Sequence, residues 1–255
     1  MIKFGERLSV TIIAALTGIF YALLWTLPSL RILLAVLSFI IFGTLYFVVP
    51  RSGLRRFFWP LYIFSQIGFV GLFIILEWPA ALLVVLILAV LSALAITLWS
   101  RRAPTPIVFI REKPLRRAVS LTITMALFSY VSFGHALLVF FPSPWLGWII
   151  HPLVAVMVMV AAFLYWSLYF SPQDRGFVAP ALLIGLIFLE ASAIAHLTSY
   201  GYLVIGLFLA WLWYLAELLI RFHHDRRDID WSHQLPFLAS NGILFIILAW
   251  LARYI

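Results

Sequence analysis

The sequence predicts an all-α, polytopic integral membrane protein of about nine transmembrane helices, and three observations carry that expectation. Hydrophobic residues make up 65% of the chain and Asp, Glu, Lys and Arg only 10%, whereas a soluble domain is roughly 45–50% apolar and about 25% charged. Apolar runs close to the ~20 residues that cross a hydrocarbon core recur along the whole chain. Charged residues and prolines punctuate those runs at regular intervals.

Taken in order, the runs place helices over roughly 8–27, 32–49, 57–76, 79–99, 118–140, 150–170, 177–197, 201–221 and 235–254. Lys3 and Arg7 precede the first, which is uncharged from Leu8 to Leu30. That run is too long for a signal-peptide core and is read as an uncleaved span. From Ala118 to Gln173 there is no acid, Lys or Arg, enough for two helices. Pro142 and Pro144 divide this stretch into a hairpin, because two prolines so close cannot continue a helix. Pro60, Pro79, Pro180 and Pro236 fall near helix starts, where a missing N–H is tolerated. Pro152 is placed the same way if its helix begins at His151, which leaves Trp145 to Ile150 as an aromatic anchor at the interface.

Charge supplies the orientation. The net charge is +8, which in a membrane chain describes loops facing an anionic leaflet and not a nucleic-acid partner. Alternate loops collect Lys3, Arg7, Arg51, Arg55, Arg56, Arg101, Arg102, Arg111, Lys113, Arg116, Arg117, Arg175, Arg221, Arg226 and Arg227, leaving only Arg31 and Arg253 of the 17 basic residues on the other side. The expectation is an inner or plasma membrane protein with a cytoplasmic N-terminus and an extracytoplasmic C-terminus. With no cysteine, disulfides, thiolate metal sites and iron–sulfur clusters are excluded.

An internal duplication is also read. Ser9-Val10-Thr11-Ile12 aligns with Ser120-Leu121-Thr122-Ile123, and Leu45-Tyr46-Phe47 with Leu168-Tyr169-Phe170. Arg55, Phe57 and Pro60 recur as Arg175, Phe177 and Pro180. The organisation expected is a four-helix repeat over 1–102, a basic cytoplasmic linker over 103–117, and a second four-helix repeat over 118–222. A cytoplasmic loop over 223–234 and a ninth helix over 235–255 complete it. A repeat of four spans keeps its orientation, so the pseudo-axis runs along the membrane normal.

The candidate site residues are the polar groups in the wrong solvent. Glu190 falls near the middle of the seventh span, where an ionised acid costs roughly 2.5–3.5 kcal/mol. His135, His151 and His196 all belong to the outer half, and Ser192 with His196 forms an i, i+4 polar stripe. Together these are candidates for a haem or divalent-metal site, although their spacing follows no metal motif. The cytoplasmic loop offers His223, His224, Asp225, Asp228, Asp230 and His233, which are suited to anionic lipid, a partner, or a divalent cation for lipid-modifying chemistry. Glu217 precedes Arg221 by one turn and is read as a structural pair.

No Walker A, HExxH or GxSxG motif is present, and no catalytic residue is assigned. The leading functional reading is a non-enzymatic scaffold, assembly factor or subunit of a membrane complex. Its partners would be the bilayer and other membrane subunits or further copies of the chain. One alternative is a transporter or channel using Glu190 as an intramembrane site. The other is a haem- or metal-binding redox subunit or a lipid-modifying enzyme.

Overall fold

The computed structural model describes residues 4–48, 55–102, 113–168, 178–226 and 231–252, with side chains described for 11–38, 40, 59–97, 114, 116–168, 178–220 and 235–252. The protein is all-helical in these residues, with no strand. The helices are α1 (Phe4–Thr26), α2 (Arg31–Val48), α3 (Arg55–Ile75), α4 (Pro79–Arg102), α5 (Lys113–Phe140), α6 (Pro144–Trp166), α7 (Val178–His196), α8 (Tyr202–Arg226) and α9 (Trp231–Ala252). Each falls on one of the apolar runs of the sequence. Six are long and apolar enough to cross a bilayer, or seven spans if the bent pair α1–α2 counts as one, and these make it a polytopic membrane protein.

The chain forms two compact units. The first comprises Met1–Tyr130 with Phe163–Val178, and the second Val131–Ala162 with Ala179–Ile255.

In the first unit α1 packs on α4, α3 on α4 and α2 on α3. Lipid tails are as apolar as leucine, so helices associate in a membrane through close packing and polar contacts. Both are present. Ala14, Ala89 and Ala93 are buried, and a side chain at Gly18 would meet Val90. Around this approach Tyr21, Leu24, Phe69, Phe73, Val85 and Ala89 form a continuous core. Gly68 brings α3 against the backbone of α5, where a methyl group would lie 3.0 Å from the Ala126 carbonyl oxygen and 3.1 Å from the Tyr130 ring.

The α1–α2 connection departs from two simple antiparallel spans. Between Thr11–Thr26 and Pro28–Ser38 the chain bends by 106°. Pro28 cannot continue α1, and a single 3₁₀ turn, Pro28–Leu30, follows it. Arg31 fixes the corner: its Nε donates to the Leu24 carbonyl at 3.0 Å, and its guanidinium lies 5.7 Å from the Phe73 ring centre. One of the two basic residues that stood apart from the charge pattern is thus occupied within the fold.

In the second unit α5 ends in the Phe141–Ser143 turn, closed by Phe141 N–H to the Leu137 carbonyl and Leu146 N–H to the Ser143 carbonyl. α6 then starts at Pro144, earlier than the sequence reading placed it. Trp145 to Ile150 are helical and Pro152 is internal, correcting the expectation of a helix beginning at His151. A proline at the first position is well suited to start a helix, and that start outweighs the one bond forfeited at Pro152. α9 is held to α8 by Trp211 Nε1 donating to Asn241 Oδ1 at 3.1 Å, by Tyr200 OH donating to the Ala249 carbonyl at 3.1 Å, and by Phe208 against Phe245.

Gly68→Ala is expected to destabilise the protein by about 1–3 kcal/mol through overpacking. Gly242 has open space around it, and Gly242→Ala should be neutral or stabilising by up to about 1 kcal/mol. Denaturant titration of the two variants in detergent micelles checks the contrast.

Candidate functional site

Unit two collects three of the four intramembrane candidates at one end of its helices. His135 lies about 8 Å before the end of α5, His151 about 10 Å after the start of α6, and His196 at the last position of α7, taking 1.5 Å per residue. Because α5 and α6 are joined by a tight turn, the end of one and the start of the other share a level. The three rings pack against one another, with centroids 5.9 Å apart for His135–His151, 6.3 Å for His135–His196 and 5.6 Å for His151–His196.

Ser192 is the hub of the cluster. It is fully buried on the inner face of α7, one turn before His196. Its backbone carbonyl lies 3.3 Å from His135 Nε2, and its hydroxyl 2.9 Å from His151 Nδ1. His135 Nδ1 faces the Val131 carbonyl of its own helix at 3.0 Å. One serine therefore ties α5 and α6 to α7. Both nitrogens of His135, itself 1% exposed, face carbonyl acceptors. A neutral imidazole has one N–H and serves one acceptor at a time, whereas an imidazolium serves both. The ring is thus placed to exchange tautomers without moving.

That arrangement links helices through the histidine cluster. Nε2 of His135 and Nδ1 of His151 are engaged between helices, and Nδ1 of His135 faces its own helix. Among the described residues no group of three His, Asp or Glu side chains is arranged to hold a metal ion. His196 is the exposed member and touches the other two through its ring.

Glu190, the fourth candidate, is not part of the cluster. It lies two residues before Ser192, which on a helix is about 200° round the axis. The inner face of α7 carries Ala181, Ile184, Gly185, Phe188 and Ser192. Glu190 is exposed on the opposite face, in line with exposed Leu183, Leu186, Ile187 and Ile194.

The cytoplasmic candidates divide by position. His223, His224 and Asp225 belong to the last turns of α8 and His233 to the first turn of α9, with side chains outside the described set. Asp228 and Asp230 lie outside the described residues.

Two polar features escaped the sequence reading. Glu217, read as a structural pair with Arg221, is 1% exposed, a burial that its spacing did not announce. In the first unit Gln66 is fully buried, and its Nε2 donates to the Ala89 carbonyl at 3.2 Å and to Ser92 Oγ at 3.1 Å. Tyr21 OH donates to the Gln66 carbonyl at 3.1 Å. Thr17 Oγ1 gives its proton to the Ile13 carbonyl, so Tyr62 OH is the donor in the 3.0 Å Thr17–Tyr62 bond. A lone amide in the middle of the third apolar run was the available signal.

Comparison with protein-family models, with curated proteins and with solved structures returns no match for this chain.

The two buried serines of α5 and α7 should respond differently to the same change. Ser192→Ala removes a bond between helices and is expected to cost about 0.6 kcal/mol, with about 1.7 kcal/mol as the upper end. The hydroxyl of Ser132, one turn before His135, is buried with no hydrogen-bond partner. Ser132→Ala should therefore be neutral or stabilising. Thermal unfolding of both variants in detergent, with His151→Leu completing a double-mutant cycle with Ser192→Ala, measures each term. A coupling of zero between Ser192 and His151 would sink the assignment of Ser192 as hub.

Proposed function

We propose that the chain is a non-enzymatic component of a larger membrane assembly: a scaffold, assembly factor or subunit. The observation that carries this reading is the engagement of His135 and His151 with Ser192. The groups best suited to a cofactor are occupied in holding α5, α6 and α7 together. The surplus lies outside, where no residue of Leu235–Ala252 on α9 is buried, although α8 holds that helix through specific contacts. Glu190 faces outward as well, which gives the alternative of a Glu190-lined transport path no support.

The topology belongs to the same proposal: nine spans in the inner or plasma membrane, with the N-terminus cytoplasmic and the C-terminus on the other side. The distribution of Lys and Arg supports it. Exposed Trp145 and Trp148 at the start of α6 suit an interfacial aromatic belt. So does the duplication: the starts of α3 and α7, Arg55 and Val178, are as far apart as those of α4 and α8, Pro79 and Tyr202.

The test is native mass spectrometry of the full chain extracted in mild detergent from the cells that make it. The expected result is one discrete species containing a second polypeptide at fixed stoichiometry. A clean monomer would overturn the reading. A Soret band or a stoichiometric metal ion in the purified protein would replace it with the redox alternative.

A further inference from the structure

Glu190 stands at the centre of an outward apolar stripe. On a helix of 3.6 residues per turn, Leu183, Leu186, Ile187 and Ile194 all lie within about 60° of it, while the buried residues of α7 lie opposite. The acid is about 18 Å from the start of the helix and about 9 Å from its end. With α7 crossing a hydrocarbon core of about 30 Å, that position falls within the hydrocarbon layer, and a carboxylate on two methylenes lacks the reach by which Lys and Arg stems regain the interface. The imidazoles nearest in sequence belong to the other face of α7. Acids exposed to hydrocarbon are costly, and acids in membrane proteins pair with a partner group. Among the described residues no side chain pairs with Glu190, which leaves its outward face open to a partner from another protein.

We infer that the Leu183–Leu186–Ile187–Glu190–Ile194 face of α7 docks a transmembrane helix of a partner protein that carries a lysine or arginine at the depth of Glu190. Apolar residues on both sides of the acid offer such a helix a continuous contact surface, and the acid fixes its depth and rotation. The requirement for positive charge separates this partner from bulk lipid. A second copy would bring carboxyl against carboxyl, and photo-crosslinking distinguishes that occupant. The inference rests on the reading of the chain as part of an assembly and names the chemistry of one contact in it.

The experiment uses the full-length protein reconstituted in phosphatidylcholine vesicles with dye-labelled polyleucine transmembrane peptides. One peptide carries a single lysine at a depth matching Glu190, and the other has none. Energy transfer to a dye on the protein reports association. The lysine peptide is expected to associate roughly three- to fifteen-fold more tightly, the range given by interhelical polar contacts in membranes. Glu190→Leu should abolish that preference and Glu190→Gln should reduce it. Thermal unfolding of each variant confirms that the fold is kept, as substitution on an exposed face predicts. Equal association of the two peptides overturns the inference, as does a preference that survives in Glu190→Leu. Photo-crosslinking from position 187 that joins two copies of the chain assigns the face to self-association and overturns it too. A stoichiometric complex found by native mass spectrometry together with indifference to the lysine would reject this contact and leave the assembly reading standing.

Discussion

A helix in hydrocarbon has no water to satisfy what its neighbours leave open, so each polar group must find a partner in the protein. The described polar side chains of this protein are largely disposed around that constraint. Thr17, Thr97, Thr122, Thr124 and Ser129 return their hydroxyls to carbonyls one turn back on the same helix. Those bonds make the helices self-sufficient without joining them. Joining depends on groups that reach across, among them Tyr21, Tyr62 and Gln66 in one unit, and His135, His151, Ser192, Trp211 and Asn241 in the other.

The cross-helix groups differ in kind between the units. In the first they are neutral hydroxyls and an amide set in an aromatic core, with Tyr21 both donating to the Gln66 carbonyl and lying 5.5 Å from the Phe73 ring. In the second they include two imidazoles, His135 and His151. Both ring nitrogens of His135 face carbonyl oxygens, those of Val131 and Ser192, so the single N–H of the neutral ring serves one of them at a time. Packed between those two carbonyls, the ring sets the spacing of α5 and α7 at this level.

Much of the fold was legible in the sequence because helix existence in a membrane is a one-dimensional property. Twenty apolar residues between charges or prolines make a helix whatever surrounds it. What was not legible was direction and face. Pro28 announces that α1 stops, but the 106° bend depends on Arg31 reaching the Leu24 carbonyl and Phe73, which joins residues far apart in the chain. Pro152 could be placed in a first turn or inside a helix, and Pro144 decided it by starting the helix earlier. The spacing of Glu217 from Arg221 is visible in the sequence, whereas only packing reveals that Glu217 is buried.

The candidate site divides along the same line. Depth follows from residue count, so the grouping of His135, His151 and His196 at one level was available from the sequence. Rotation follows from which face of each helix is covered, and that is a tertiary fact. The roughly 200° between Glu190 and Ser192 was calculable in advance. Since only one side of α7 packs inward, one of the two had to face outward, and nothing in the residues said which. The serine faces in because its short side chain permits close approach while still bonding His151, just as Gly185 lets α7 lie against the Ala155 carbonyl and Met159 of α6. A glutamate at that position would bring a charge into the tightest contact of the unit. The same packing that draws the histidines together therefore turns the acid outward. The most polar point on α7 is left on its most apolar face.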